Sequence, residues 1–133
     1  MATPKKQTSP RGAEALALER ARELPNSRTS GGADILKRAF ADHLQYSQGK
    51  DEHSATALDR YFAVAHTVRD RMMRRWITTQ QRYYKEDAKR VYYLSLEFLM
   101  GKALENNLLN LGLYENMRSA LSDLGLDLGD LLT

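Results

Sequence analysis

Cysteine is absent from the 133 residues, which removes disulfides, thiolate metal sites and thiol nucleophiles together. The absence suits a cytoplasmic protein. No run approaches the roughly 18 apolar residues that a membrane span needs, so no membrane partner is expected. Met1 to Gly12 is polar and basic and has no apolar core, so it does not read as a secretory signal. The acids Glu14, Glu19 and Glu23 follow at once and argue against an organelle transit peptide. The histidines His43, His53 and His66 are far apart and form no His-Glu-x-x-His pattern, so no metal is expected. Gly101-Lys102 lacks the upstream glycine of a P-loop, with Ala103 where Ser or Thr would hold magnesium. Neither Gly-x-Gly-x-x-Gly nor Gly-x-Ser-x-Gly occurs.

What is present is the balance of a globular chain: 42% apolar and 28% charged residues, with length for one ordinary domain. The net charge of +3 is unevenly spread. From Arg69 to Arg90, Arg69, Arg71, Arg74, Arg75, Arg82, Lys85, Lys89 and Arg90 face only Asp70, Glu86 and Asp87. Such a cluster can attract a phosphate, a nucleotide or nucleic acid; the simpler reading is the solvated face of a helix.

Residues 1–32 read as a disordered or partly helical leader and linker. Ala13–Leu24 is rich in helix formers and is stopped by Pro25, and Pro25–Gly32 has linker composition. A helix is expected over Ala33–Ser47, with Ile35, Leu36, Ala39, Phe40 and Leu44 on one side. Thr56 and Asp59 form a variant capping box. They open a helix to about Glu86 whose stripe is Leu58, Tyr61, Ala65, Val68, Met72, Trp76 and Tyr83. At about 1.5 Å per residue it is roughly 45 Å long, too long a rod to bury its stripe without neighbours. Val91–Leu96 is apolar at nearly every position, the pattern of one strand buried on both faces. Gly101 then opens a helical pattern through Leu104, Leu108 and Leu111, suited to end at Gly112. Leu113, Met117, Leu121 and Leu124 form another helix, ended by Gly125. A lone buried strand leaves its ladder groups unpaired, so the sequence reads as part of a larger domain, mainly helical with one buried strand near 90–96.

Two site candidates emerge from position. Glu97 stands at the carboxyl end of the expected strand, where ligands gather in open α/β folds; the structural alternative is a pairing with a nearby arginine. Trp76, Gln80, Gln81 and Tyr84 cluster at the end of the long helix beside its cations, where rings could stack a base and cations hold a phosphate. The simpler account puts Trp76 and Tyr83 in the core stripe and leaves the glutamines exposed.

Tyr61–Asp70, Arg75–Gln81, Tyr83-Tyr84, Lys89–Gly101 and Asn106–Gly112 together resemble the amino-terminal part of the α-glucan (glycogen, starch or maltodextrin) phosphorylases. The resemblance runs in register from Ala33 to Thr133, and Asn106–Gly112 has a form closer to bacterial and plant members. It implies an α/β parent of two Rossmann-like domains facing a cleft, of glycosyltransferase B type, with residues 33–133 as the incomplete start of the first. It also implies phosphorolysis of terminal α-1,4-glucosyl bonds of an α-1,4-glucan by inorganic phosphate, giving glucose 1-phosphate. Pyridoxal phosphate held on a lysine beyond this segment, and a homodimer, are implied as well. No cofactor-binding residue falls in this segment, and the segment alone is expected to be inactive.

By the same resemblance Glu97 matches a glutamate of the catalytic cleft wall. Trp76, Gln80, Gln81 and Tyr84 match the region where regulated animal members bind an adenine nucleotide across the dimer interface, and Lys50–Ala55 matches the partner subunit's cap. Glu52 and His53 stand in place of an arginine and an asparagine, and Leu99 in place of a tyrosine near the cofactor, departures that argue against nucleotide control. The stretch Lys6–Gly12 echoes the phosphorylated segment of animal members only faintly, and Ser9 reads as an ordinary leader residue. On the phosphorylase reading no nucleic acid is expected as a partner; the rival reading is a stand-alone helical interaction module that binds an acidic partner through Arg69–Arg90, with salt-sensitive binding to polyanions.

Overall fold

The computed structural model describes residues 28–98 and 101–133. The expected leader helix Ala13–Leu24, and Ser9 and Leu99, lie outside them. The described residues form α1 (Ala33–Asp42), continued by a π-helical turn (His43–Ser47), then α2 (Ala57–Lys85), α3 (Ala103–Asn110), α4 (Tyr114–Ser122) and α5 (Leu128–Leu132).

Each boundary has a local cause. The π turn closes with the Gln48 amide donating to the His43 carbonyl at 3.0 Å, and Gly49, at φ +63°, turns the chain away. At the start of α2 the Thr56 hydroxyl accepts from the Asp59 amide at 3.2 Å. Asp59 Oδ2 in turn accepts from the Thr56 amide at 2.9 Å, which completes the capping box expected there. α3 and α4 end alike: the Leu113 amide donates to the Leu108 carbonyl, and the Leu126 amide to the Leu121 carbonyl, both at 2.9 Å. Gly112 and Gly125, at φ +68° and +73°, supply the left-handed residue that this closure requires.

α1, the first half of α2, and α3 to α5 share one core: Leu36, Phe40, Leu44, Ala63, Val64, Val68, Leu108, Leu113, Met117, Ala120, Leu121 and Leu128. Residues 28–32, linker by composition, lie tied against this body. Arg71 Nε donates to the Ser30 carbonyl at 2.9 Å and Asn116 Nδ2 to the Gly31 carbonyl at 2.8 Å. A Cβ on Gly31 would come within 2.8 Å of Leu113 Cδ2, so a side chain there would require the end of Leu113 to shift.

Two sequence expectations are corrected. Among the described residues there is no strand: Val91–Leu96 runs outside any regular element, with Tyr92 78% and Leu94 91% exposed. A strand exists by pairing, and no described segment offers it a ladder or a surface for either face. The apolar run records what this segment would bury, not what is there to bury it. The buried face of α2 is Ala63, Val64, Thr67, Val68 and Arg71, turned roughly a third of a turn from the expected stripe at 100° per residue. Of that stripe only Val68 is fully buried; Leu58, Trp76 and Tyr83 are exposed. The large apolar residues drew the expectation, whereas close contact with α1 selects small side chains, and the Thr67 hydroxyl is satisfied internally by donating to the Ala63 carbonyl at 2.8 Å.

Candidate functional site

Beyond Met72 the long helix leaves the body. Every residue from Met73 to Lys85 is exposed except half-buried Gln80. At 100° per residue Trp76, Gln80, Tyr83 and Tyr84 share one face of this projecting half, spread over about 12 Å of axis, and Gln81 turns off to the side. Trp76 is 60% and Tyr84 76% exposed, which overturns the account that sinks Trp76 and Tyr83 in the core. The helix offers these side chains as a surface, so Trp76, Gln80 and Tyr84 share one face and Gln81 does not.

Cations edge this surface. The Arg90 guanidinium lies 4.6 Å from the centre of the Tyr84 ring, within cation–π range. Its pKa is held above the ordinary value first by a hydrogen bond with Tyr92 and then by one with Tyr84, so Arg90 folds the segment after α2 back onto the helix end. Arg82 and Lys85 sit in the last turn of α2, where positive charge complements the helix dipole, and Arg82 Nε also meets Glu86 Oε1 at 2.8 Å. Arg71 leaves the cluster altogether. It is 5% exposed, donates to the Thr67 carbonyl at 2.7 Å as well as to Ser30, and burial lowers its pKa. The basic stretch is thus divided: one structural arginine inside, dipole partners at the helix end, and exposed Arg69, Arg74 and Arg75 between them.

Glu97 stands apart from this surface, exposed in the segment after α2. Its amide donates to the Ser95 hydroxyl at 3.1 Å, and its carbonyl accepts from that hydroxyl at 2.9 Å. These bonds fix its backbone and leave the carboxylate facing solvent. The capping loop expected at Lys50–Ala55 is ordered by Asp51, whose Oδ1 accepts from the Ser54 amide at 2.7 Å and the Ser54 hydroxyl at 2.6 Å. These bonds, the hydroxyl's first, lower the Asp51 pKa. Lys50, Asp51 and Glu52 border a groove of about 520 Å³ floored by Phe40, Leu44, Leu124 and Leu126.

A further polar cluster went unread in the sequence. His43, on the π turn, places Nε2 3.1 Å from Asp70 Oδ2 of α2 and Nδ1 2.8 Å from the Ser47 hydroxyl. The His66 ring stacks on it, centroids 5.6 Å apart. The four-residue spacing of His43 and Ser47 was a visible signal; the approach of Asp70, 27 residues on, was not. Among the described residues no group of three or more His, Cys, Asp or Glu is arranged to hold a metal ion, and no helix is long and apolar enough to cross a membrane.

No protein-family model matches the chain. Among curated proteins it is 47% identical over 115 residues to the brain form of glycogen phosphorylase from Bos taurus, an alignment covering 85% of this chain and 14% of that protein. It is 53% identical over 96 residues to the human liver form and 52% identical over 96 residues to the human muscle form, in each case 72% of this chain and 11% of the relative. The chain therefore spans about a seventh of the length of the brain form it matches. The described residues are mainly helical. With nearly half its residues identical to these enzymes over most of its length, the chain belongs to the glycogen phosphorylase family.

Proposed function

We propose that this chain supplies the opening part of the first domain of a cytoplasmic α-glucan phosphorylase, which cleaves terminal α-1,4-glucosyl units with inorganic phosphate to release glucose 1-phosphate. The identity to glycogen phosphorylases over 85% of the chain carries this reading. On it, the leader and linker cover 1–32 and the domain begins at 33, in a parent of two Rossmann-like domains. The projecting half of α2 is the dimer contact. Its exposed Trp76 and Tyr84 and half-buried Gln80, with Gln81 at the side, form the nucleotide-effector region, without nucleotide control because Glu52 and His53 occupy the opposing loop. Glu97 is the cleft-wall residue. Its exposure leaves it available to polyol hydroxyls once further chain surrounds it.

Pyridoxal phosphate, whose phosphate group assists proton transfer in such enzymes, finds no fit among the described residues. A Schiff-base lysine is set in a pocket that desolvates it, and every lysine among the described residues is at least partly exposed. Lys37 is moreover engaged by Asp123 at 2.7 Å, the bond that chiefly raises its pKa. On this reading the Schiff-base lysine lies elsewhere in the enzyme.

The test is phosphorolysis. A full-length product carrying this segment releases glucose 1-phosphate from maltodextrin and phosphate, and a folded full-length product without that activity refutes the assignment. In that enzyme Glu97→Gln lowers turnover with little loss of folding; unchanged kinetics return Glu97 to a structural role. The second reading, an interaction module for an acidic partner, draws on exposed Arg69, Arg74 and Arg75. It requires polyanion binding by this chain that weakens steeply with salt.

A further inference from the structure

The His43 cluster has the connectivity of an activated nucleophile, and the proposed phosphorolysis does not use it. Asp70 Oδ2 is an acceptor and lies 3.1 Å from His43 Nε2, so the neutral ring carries its proton on Nε2. Nδ1 is then a lone pair, and at 2.8 Å the Ser47 hydroxyl must be the donor. A carboxylate orienting an imidazole that accepts from a serine is the arrangement by which hydroxyls are made nucleophilic, here with the two ring nitrogens exchanged. His43 is 8% exposed and the Asp70 side chain 13%, whereas Ser47 is exposed: the base is sheltered and the nucleophile reachable. The turn holding His43 and Ser47 is π-helical, a geometry rare in proteins and frequent at functional sites. It brings the hydroxyl onto the ring at four-residue spacing.

The surroundings indicate the kind of reagent. Ser47 and His43 line a cavity of about 270 Å³ together with Arg28, Arg38, Tyr46 and Asp42. Arg28 Nε lies 3.7 Å from Asp70 Oδ2, and the exposed Arg38 guanidinium at the cavity border suits a phosphate leaving group. We propose that Ser47 is an acylation site that takes the acyl group of small acyl phosphates. Ser47 Oγ attacks the carbonyl carbon while its proton passes to His43 Nδ1. The carbon–oxygen bond to the phosphate breaks with its electron pair on the phosphate, which collects the proton from Nδ1. An acyl ester on Ser47 and inorganic phosphate result, and no oxidant or further reactant is needed.

The experiment incubates this chain with acetyl phosphate and maps modified serines by peptide mass spectrometry over time. General-base assistance is worth about 10²–10⁴-fold, so Ser47 gains acetyl groups at least about tenfold faster than exposed Ser119 and Ser122. The excess disappears when the chain is unfolded in urea, and in His43→Gln, whose amide cannot take up a proton. The urea comparison needs no variant to fold. Equal rates at Ser47 and Ser122 in the native chain overturn the proposal, as does an excess that survives urea or a phosphoryl group on Ser47 in place of the acetyl group.

Discussion

Replacing Leu36 by Ala tests the core of this molecule most directly, because the next residue toward the amino terminus is its control. Leu36 is fully buried, at 0% exposure, among side chains of α1, α2 and α4, while Ile35 on the same turn is 36% exposed. Truncating a fully buried leucine removes its transfer free energy and leaves a cavity, together about 2–5 kcal/mol. Leu36 sits where three helices meet, and none of them can collapse into the space without losing other contacts, so we expect about 3 kcal/mol. Ile35→Ala removes side-chain atoms still partly in water and costs under about 1.5 kcal/mol. Urea unfolding followed by far-ultraviolet circular dichroism reads both, with the slope of the transition compared to exclude a changed unfolded state. A loss below about 1 kcal/mol for Leu36→Ala, or equal losses for the pair, refutes the packing of α1 described here. Against a typical stability of about 5–15 kcal/mol the expected loss is large, and the Leu36 variant also unfolds at visibly lower temperature.

Three further outcomes follow from particular contacts. Thr56→Ala dismantles the capping box at the start of α2 and costs about 1 kcal/mol, measured by the same urea transition. Asp59 keeps a lowered pKa, first through the hydrogen bond from the Thr56 amide and then through the Thr56 hydroxyl. A depressed carboxylate stabilises the fold above its unfolded value of 3.8 and loses that contribution as pH falls through its lower folded value. The acid limb of the stability profile is therefore shallower in Thr56→Ala, and an unchanged limb counts against the cap. Gly112→Ala puts a side chain at φ +68° and costs about 1 kcal/mol, whereas Gly101→Ala, with nothing within 4 Å of its Cβ, costs less; reversed costs would refute the αL closure of α3. Leu94→Lys, at a position 91% exposed, leaves the melting transition in place and lowers the binding of a dye that reports apolar surface. A clear loss of stability would instead mean that this segment is packed.

The fate of the long helix shows how far the sequence could be read. Its start came from a capping box, a pattern written in four neighbouring residues, and its length from an uninterrupted run of helix formers. Both were legible because their causes are local. The face it buries was not. That face depends on how closely α1 approaches, and Ala63, Val64 and Thr67 win the contact over larger residues that periodicity favoured. In the same way Trp76 and Tyr83 matched a core stripe by spacing, yet they stand on the half of α2 that has left the body, where no described helix comes to cover them.

The sequence by itself determined where helices begin and end, through Thr56, Gly112 and Gly125, and it determined the family, through residues in unbroken register. Tertiary structure alone decided which apolar residues are covered. Val91–Leu96 has the composition of an inner strand and none of its pairing, because strand formation needs a neighbour that composition cannot supply. It also decided that Asp70 meets His43 across 27 residues, and that Arg71, one of eight cations in its stretch, serves the interior while its neighbours face water. Helix boundaries are fixed by neighbours in the chain. Burial and side-chain pairing are fixed by neighbours in space.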